Sequence, residues 1–366
     1  MTIFITVILK KIMPMVNLVK QIQPLPERVW TAMSRFFKST GTTKRAKKGG
    51  KTIHPFRVIV NKEISDHLRS WRFIILILII ALTCMGSLYT ALTNIIDAAK
   101  PGDSEGSFLF LKLFTISDGS LPSFFVFISF LGPLLGISLG FDALNSEENK
   151  GTLGRIMAQP IYRDYLINAK FTGALIVISV MLFALGFLVM GIGLISTGIP
   201  PTAGEFWRIV FFILLSIVYV AFWLNLSILF SVRFRQTSTS LLFSIGIWLF
   251  FTVFYNIIVN VIAKAIQPSA VASAHQVMQY QEIIMSLVRV LPSQLFSDAT
   301  TTLLMPTVRS LGPLTTQQVY GTIPSPLPLG QSLLLVWPQL TGLITATVIC
   351  FALSYASFMR KEIRSR

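Results

Sequence analysis

The sequence predicts an all-α membrane protein with six transmembrane helices. Of its 366 residues, 53% are hydrophobic and only 13% are charged, and the mean hydropathy is +0.70. A soluble domain of this length is far less apolar. Six runs free of Asp, Glu, Lys and Arg each reach the length of about 20 residues that a helix needs to cross the hydrocarbon core. These runs are 73–93, 121–141, 171–195, 209–231, 239–262 and 333–358.

The distribution of Lys and Arg predicts the orientation of the spans. With both termini in the cytoplasm, 25 of the 31 Lys and Arg residues lie in the inner segments, as the positive-inside rule requires. The net charge of +16 is then confined to one side of the membrane, which favours contact with the membrane surface over nucleic acid. The inner segments are 1–72, 142–170, 232–238 and 359–366.

Residues 1–53 are predicted to be a basic, amphipathic N-terminal extension with a linker. Two short apolar and basic patterns are typical of helices on an anionic leaflet, and a poorly ordered basic tail is the alternative. The linker contains Gly50, Lys51 and Thr52, but Arg45 stands where a phosphate-binding loop needs its first glycine. No ATP site is therefore predicted, and residues 54–366 form the six-span domain.

The stretch 54–72 predicts an amphipathic helix in the membrane plane that leads into the first span. Its apolar residues recur at helical spacing, while most of its charged residues lie off that stripe. The tryptophan is expected at the level of the lipid headgroups. The stripe consists of Phe56, Ile59, Val60, Ile64, Leu68 and Trp71.

The second span carries Gly132, Gly136 and Gly140 at a spacing of four residues. Small residues at this interval let two helices approach closely, and packing within one subunit is preferred here over a subunit interface. Outside the membrane, 94–120 is predicted to be a short polar loop. The long external segment 263–332 is predicted to contain short helices at the outer surface.

A polar island, 145–170, separates the second and third spans. Leu153, Ile156 and Met157 follow helical spacing and predict a short amphipathic helix with Thr152 as its N-cap, ending at Pro160. Charges of both signs surround this small apolar face. Such a mixture favours a protein-docking surface over a lipid-binding one, with a solvated loop as the alternative.

The spans themselves lack the groups that membrane chemistry needs. Ion-coupled transporters usually keep a carboxylate, a histidine or a basic side chain in the membrane, and none occurs in these six runs. No motif of an intramembrane protease, a metalloprotease or a lipid phosphotransferase is present. We therefore expect a protein that is not an enzyme and that takes its energy from a partner if it moves a solute.

The polar island resembles the segment between the second and third spans of type-2 ATP-binding cassette (ABC) transporter permeases. In that family an acidic residue precedes a Gly-Thr-Leu step, a short helix, a Pro, an Arg and finally a Lys. The likeness extends over 54–366 and is close to two-component permeases with a separate ATPase chain, such as those serving nitrous-oxide-reductase maturation. The matching residues are Glu147 or Glu148, Gly151, Thr152, Leu153, Pro160, Arg163 and Lys170.

This resemblance implies a permease subunit that couples ATP hydrolysis to export of a hydrophobic or amphipathic substrate. It implies two ABC ATPase subunits, a second permease chain that is identical or related, and a prokaryotic inner or cytoplasmic membrane. ATP and Mg would bind to the ATPase, and this chain would bind no cofactor. The helix around 151–159 would be the coupling helix, which docks on the ATPase beside the 54–72 helix. Its docking residues would be Glu147, Glu148, Gly151, Thr152, Leu153, Ile156, Met157, Pro160 and Arg163.

Two other functions remain open at this point. The same architecture could transmit ATPase motion to an external partner without moving a solute, which the closed-looking apolar spans and the 263–332 segment favour. A scaffold that anchors partners through the basic N-terminus is the third candidate.

Overall fold

The computed structural model describes residues 54–98, 108–117, 121–159, 161–268, 273–307 and 326–361, and every regular element in these ranges is helical. Six helical stretches are long and apolar enough to cross a membrane, so the predicted fold class and number of spans are confirmed. The predicted N-terminal extension and Pro160 lie outside the described residues. The six stretches are Trp71–Thr93, Phe124–Asn149, Arg163–Thr197, Ala203–Arg233, Thr237–Ala265 and Leu329–Met359.

Thirteen α-helices and one π-helical turn make up the described chain. In order they are α1 Pro55–Leu68, α2 Trp71–Ala98, α3 Leu109–Thr115, α4 Phe124–Gly140, α5 Asn145–Asn149, α6 Thr152–Met157, α7 Arg163–Thr197, α8 Ala203–Arg233, α9 Thr237–Leu249, the π turn Phe250–Phe254, α10 Tyr255–Ala265, α11 Ala274–Val288, α12 Pro292–Leu304 and α13 Leu329–Met359. Short helices thus occur at 54–72, at 151–159 and within 263–332, as predicted. That the first lies in the membrane plane and the last outside it remains a prediction.

Helix ends follow local sequence signals. Thr202 and Glu205 form a capping box at the start of α8: the Glu205 amide donates to Thr202 Oγ1, and Glu205 Oε2 accepts from the Thr202 amide. Proline occupies the first turn of α1 and of α12, where its missing N–H costs nothing. With its capping box, the helix α8 therefore begins at Ala203, ahead of the apolar run 209–231 that the sequence predicts as a span.

The helix α8 is the most buried of the six spans. Tyr219 and Trp223 are fully buried along it, and the Tyr219 hydroxyl donates to the Ser129 carbonyl of α4 at 2.9 Å. The Tyr219 ring stacks on Phe296 of α12 with the ring centroids 4.5 Å apart. The core of the domain is therefore built around α8.

The helix α4 packs closely against α8 because its small residues face it. A Cβ atom added at Gly136 would lie 2.6 Å from the Val220 oxygen and 2.9 Å from the Leu224 nitrogen. One added at Gly132 would lie 3.0 Å from Val220 Cγ2, and one at Gly140 would lie 2.8 Å from the Leu224 oxygen. All three glycines thus contact α8 of the same chain.

Replacing Gly136 with alanine is expected to lower the stability of the domain. The new methyl group would press on backbone atoms of α8, and overpacking of this kind costs about 1–3 kcal/mol. Thermal unfolding of the purified protein in detergent measures the change. The control is Gly191→Ala on α7, where an added Cβ meets nothing within 4 Å. Equal melting temperatures for the two variants would contradict the close contact.

The prediction of a polar loop at 94–120 was wrong in part. Residues 109–115 form the helix α3, whose side chains Phe110, Leu111, Leu113 and Phe114 are buried. The Phe114 ring packs edge-on against Phe124, and the Phe110 amide donates to Glu205 Oε1 at 2.9 Å. The apolar run is too short to span a membrane, so only its tertiary contacts reveal it as part of the core.

Charged segments from distant parts of the chain meet at one end of the bundle, here called the basic end. Arg72 Nη1 lies 2.8 Å from Asp142 Oδ2, which joins the start of α2 to the segment after α4. Lys361 Nζ lies 2.6 Å from Glu148 Oε2 and donates to the Val232 carbonyl, which brings the ends of α13 and α8 to the same place. All predicted inner segments within the described ranges therefore share one end.

A single buried cation organises the opposite end. Arg208, only 2% exposed, donates from Nη1 to the Leu303 carbonyl at 2.9 Å and to Ser332 Oγ at 3.0 Å. Its Nη2 donates to the Leu327 carbonyl at 2.5 Å. Arg208 thus ties α8 to the last turn of α12 and to the first turn of α13.

Candidate functional site

Backbone amides of the segment between α4 and α7 donate hydrogen bonds to a side chain of α8, and these bonds hold the segment in place. Ser231 Oγ accepts from the amides of Leu144 and Asn145, at 2.9 and 3.2 Å, and so caps the start of α5. Gly151 has a φ of +65°, a conformation that favours glycine, and turns the chain from α5 into α6. The Gly-Thr-Leu step therefore fixes the direction of α6.

Beneath this segment lies a buried ion-pair cluster, formed by Lys62, Glu63, Glu147 and Lys170. Lys170 Nζ on α7 lies 2.9 Å from Glu147 Oε1 on α5 and 3.2 Å from both carboxylate oxygens of Glu63 on α1. The side chains of Lys170, Glu63 and Glu147 are only 5%, 7% and 10% exposed. The cluster joins three elements that are far apart in the sequence.

Lys62 balances the charge of this cluster. Its Nζ lies 3.2 Å from Glu63 Oε1 and 3.4 Å from Glu147 Oε1, while about half of its side chain is exposed. Burial by itself would raise the pKa of Glu63, but the positive charges of Lys170 and Lys62 lower it below 4.5. The Glu63 carboxylate is therefore ionised at neutral pH despite its burial.

A glycine allows α1 to reach the cluster. A Cβ atom added at Gly173 on α7 would lie 2.9 Å from Glu63 Cβ and 3.6 Å from the Val60 oxygen. Of the predicted apolar stripe of α1, Val60 is buried, and Phe56, Ile59 and Ile64 are partly buried. Leu68 and Trp71 are 49% and 77% exposed. The first part of the stripe packs on the protein, and the last two side chains face outward.

The apolar side chains of α6 face the chain's own core. Leu153 is 4% exposed, and Ile156 and Met157 pack against the same core. The outward face of the helix and of the turns beside it is small or polar. It consists of Gly151, Gly154, Arg155, Ala158 and Gln159. The predicted apolar docking residues therefore hold α6 in place, and other residues form the surface left for a partner.

The prediction that Thr152 caps α6 was wrong. Gly151 occupies the N-cap position, and Thr152 Oγ1 donates to the Glu147 carbonyl at 3.1 Å. The hydroxyl therefore closes the turn between α5 and α6. Among the described residues, no side chain accepts a hydrogen bond from the first amides of α6.

A cleft of about 640 Å³ opens between α1 and the α5–α6 segment. Charges of both signs line it, since the ion-pair cluster forms one wall and Arg155 and Arg72 reach it from other sides. His67 also lines it, and its partial burial lowers the pKa of the imidazole below 6.5. Apolar side chains such as Phe73, Leu139 and Ile156 share the lining with these charges, and α6 keeps an accessible surface on its α1 side.

Several of these residues could not be assigned from the sequence. In the sequence, Glu63 and Lys62 look like ordinary surface charges outside the apolar stripe of α1. Ser231 ends the fourth predicted span and Lys361 lies in the C-terminal inner segment, so neither is near the island in sequence. The island supplied Glu147 and Lys170, but Glu63, the second carboxylate that Lys170 contacts, is 107 residues away from it. The resemblance to a family pattern was the only signal that pointed to Lys170.

Comparison with known proteins agrees with this architecture. The profile of a family described as ABC-2 family transporter protein matches residues 57–363. The chain is 24% identical over 201 residues to the probable ABC transporter permease protein NosY of Stutzerimonas stutzeri, covering 55% of this chain and 67% of that protein. It is 26% identical over 202 residues to the protein of the same name from Pseudomonas aeruginosa, covering 54% and 67%. With six membrane-spanning helices and a family match over most of its length, the chain belongs to the ABC-2 family of transporter proteins and is a multi-pass permease subunit.

Proposed function

We propose that this permease couples ATP hydrolysis by a separate ATPase chain to the export of a hydrophobic or amphipathic substrate, and that the ATPase docks on α6. The observation that carries the proposal is that one face of α6 is exposed while the other is attached to the rest of the protein. Its outward face is open, while Thr152 Oγ1 ties α6 to the Glu147 carbonyl of α5, and the Glu147 side chain joins α5 to α1 and α7 through the buried ion-pair cluster. A force applied to α6 would reach the membrane-spanning helix α7 through α5.

The helix α7 would carry this motion across the membrane. It runs without interruption over 35 residues, about 50 Å at the rise of an α-helix, and Lys170 lies in its first turns. ATP would bias an inward-open against an outward-open arrangement by binding the two with different affinity. Two ATPase subunits, with ATP and Mg bound to them, and a second permease chain would complete the transporter. The basic end would then be cytoplasmic, in a prokaryotic inner or cytoplasmic membrane.

A bulky residue on the outward face of α6 tests the docking role. Replacing Ala158 with tryptophan is expected to separate the ATPase from the permease, because the ring would hold the two surfaces apart while the buried face of α6 is untouched. The measurement is the amount of ATPase that co-purifies from membranes in mild detergent. The control is Gly204→Trp, an open position in the first turn of α8 at the opposite end. Full retention of the ATPase by the Ala158 variant would exclude α6 as the docking element.

A second candidate, mechanical transmission to an external partner, is favoured by the contacts of α8. At the basic end Ser231 holds the start of α5, and at the opposite end Arg208 holds α12 and α13. One rigid helix therefore joins the proposed docking segment to the helices within 263–332. ATP-dependent movement of a lipophilic dye in reconstituted vesicles would favour transport over transmission.

A further inference from the structure

The charges of the 142–170 segment are largely segregated by sign. Three of its four acidic residues are paired within the chain: Glu147 with Lys170, Glu148 with Lys361 and Asp142 with Arg72, while the fourth, Asp164, is partly buried. In contrast, Lys150, Arg155 and Arg163 are exposed and have no ion pair within the part of the chain that the structure describes. The mixed-sign island of the sequence therefore folds into a surface that presents cations.

This cationic surface lacks the features of a lipid-binding helix. Such helices place bulky apolar side chains on the face that enters the membrane. The outward positions of α6 and its adjacent turns are Gly151, Gly154, Arg155, Ala158 and Gln159, and the apolar side chains of α6 face inward. Small residues between cations let a protein backbone come near while carboxylates reach the charges. A folded partner with an acidic surface fits this face better than a lipid leaflet.

We propose that the ATPase surface that receives α6 is an acidic groove, whose Asp and Glu carboxylates pair with Lys150, Arg155 and Arg163. The inference rests on the proposed docking of the ATPase on α6 and adds the chemistry of the partner surface. Complementary charge speeds association and disfavours wrong partners. The contact also becomes sensitive to salt, because exposed pairs are screened.

Zero-length crosslinking tests the proposal on the intact complex. A carbodiimide joins an amine to a carboxylate only when the two are in contact, so it is expected to form an amide between Lys150 and an Asp or Glu of the ATPase chain. Mass spectrometry of the complex purified from membranes in mild detergent identifies the linked peptides. Lys150→Arg keeps the charge but lacks the reactive amine, so this amide must disappear. Amides from Lys62 to Glu63 or Glu147 within the chain show that the reagent reached the site.

Neutralisation gives the quantitative test. The variant with Lys150→Gln, Arg155→Gln and Arg163→Gln is expected to bind the ATPase at least about tenfold more weakly, the loss expected for a few partly buried ion pairs. The salt dependence of binding should decrease with it. A control variant, Lys264→Gln, neutralises an exposed cation on α10 at the opposite end of the bundle and should bind normally.

A photoreactive residue at position 158 separates failure of this inference from failure of the docking role. If position 158 crosslinks to the ATPase while Lys150 forms no amide with it and neutralisation leaves binding unchanged, the acidic groove is wrong and docking stands. If position 158 also fails to reach the ATPase, both are wrong. If the neutralised variant keeps the ATPase but, purified in detergent, binds phosphatidylglycerol more weakly than the parent protein, the cations serve lipid and the proposal is overturned.

Discussion

Replacing Lys170 with methionine is expected to destabilise the six-span domain by about 3–5 kcal/mol, the usual cost of breaking a buried ion pair. The lysine is the central partner of Glu63 and Glu147, and its removal leaves two buried carboxylates close together with only the half-exposed Lys62 to balance them. Thermal unfolding in detergent and the yield of folded protein in membranes measure the effect.

Two variants show whether the loss comes from uncompensated charge. Lys150→Met removes an exposed lysine of the same segment and should leave the melting temperature unchanged. Adding Glu63→Gln and Glu147→Gln to Lys170→Met removes the unpaired charges, and should restore a large part of the stability. If the triple variant is no more stable than Lys170→Met alone, the cluster does not act through its charges.

Replacing Arg208 with leucine is expected to cost about 3 kcal/mol and to loosen the end of the bundle opposite the basic end. The guanidinium is the shared donor for the Leu303 and Leu327 carbonyls and for Ser332 Oγ. Hydrogen bonds from a charged donor are worth about 1.5–3 kcal/mol each, partly offset here because a buried charge is also removed. Hydrogen–deuterium exchange should rise in the last turn of α12 and the first turn of α13.

The location of the change distinguishes this role from a general loss of stability. Exchange in α1, α5 and α6, at the basic end, should stay as in the parent protein under conditions where the protein is folded. Lys264→Leu, at an exposed position on α10, removes a cation at the same end without these contacts and should leave exchange unaltered. Uniformly faster exchange over all helices would contradict a local tie between α8, α12 and α13.

The number and approximate position of the spans follow from the sequence, because the cost of placing polar groups in hydrocarbon acts locally, residue by residue. Capping signals such as Thr202 with Glu205, and the glycine turn at Gly151, are equally local. The helix α3 was not predicted because its apolar run is too short to indicate a span, and its burial depends on contacts with α4 and α8.

The sequence by itself determined a six-span protein with a charged helical segment between the second and third spans. The residues of that segment also showed the pattern of a family. Only the tertiary structure decided which charges face inward. Glu147 and Arg155 stand in the same short polar stretch, yet one is buried beside Lys170 and the other is exposed. The reason is physical: burial of a charge depends on a partner of opposite sign, and the partners here are brought together by the packing of α1, α5 and α7, which no local pattern encodes.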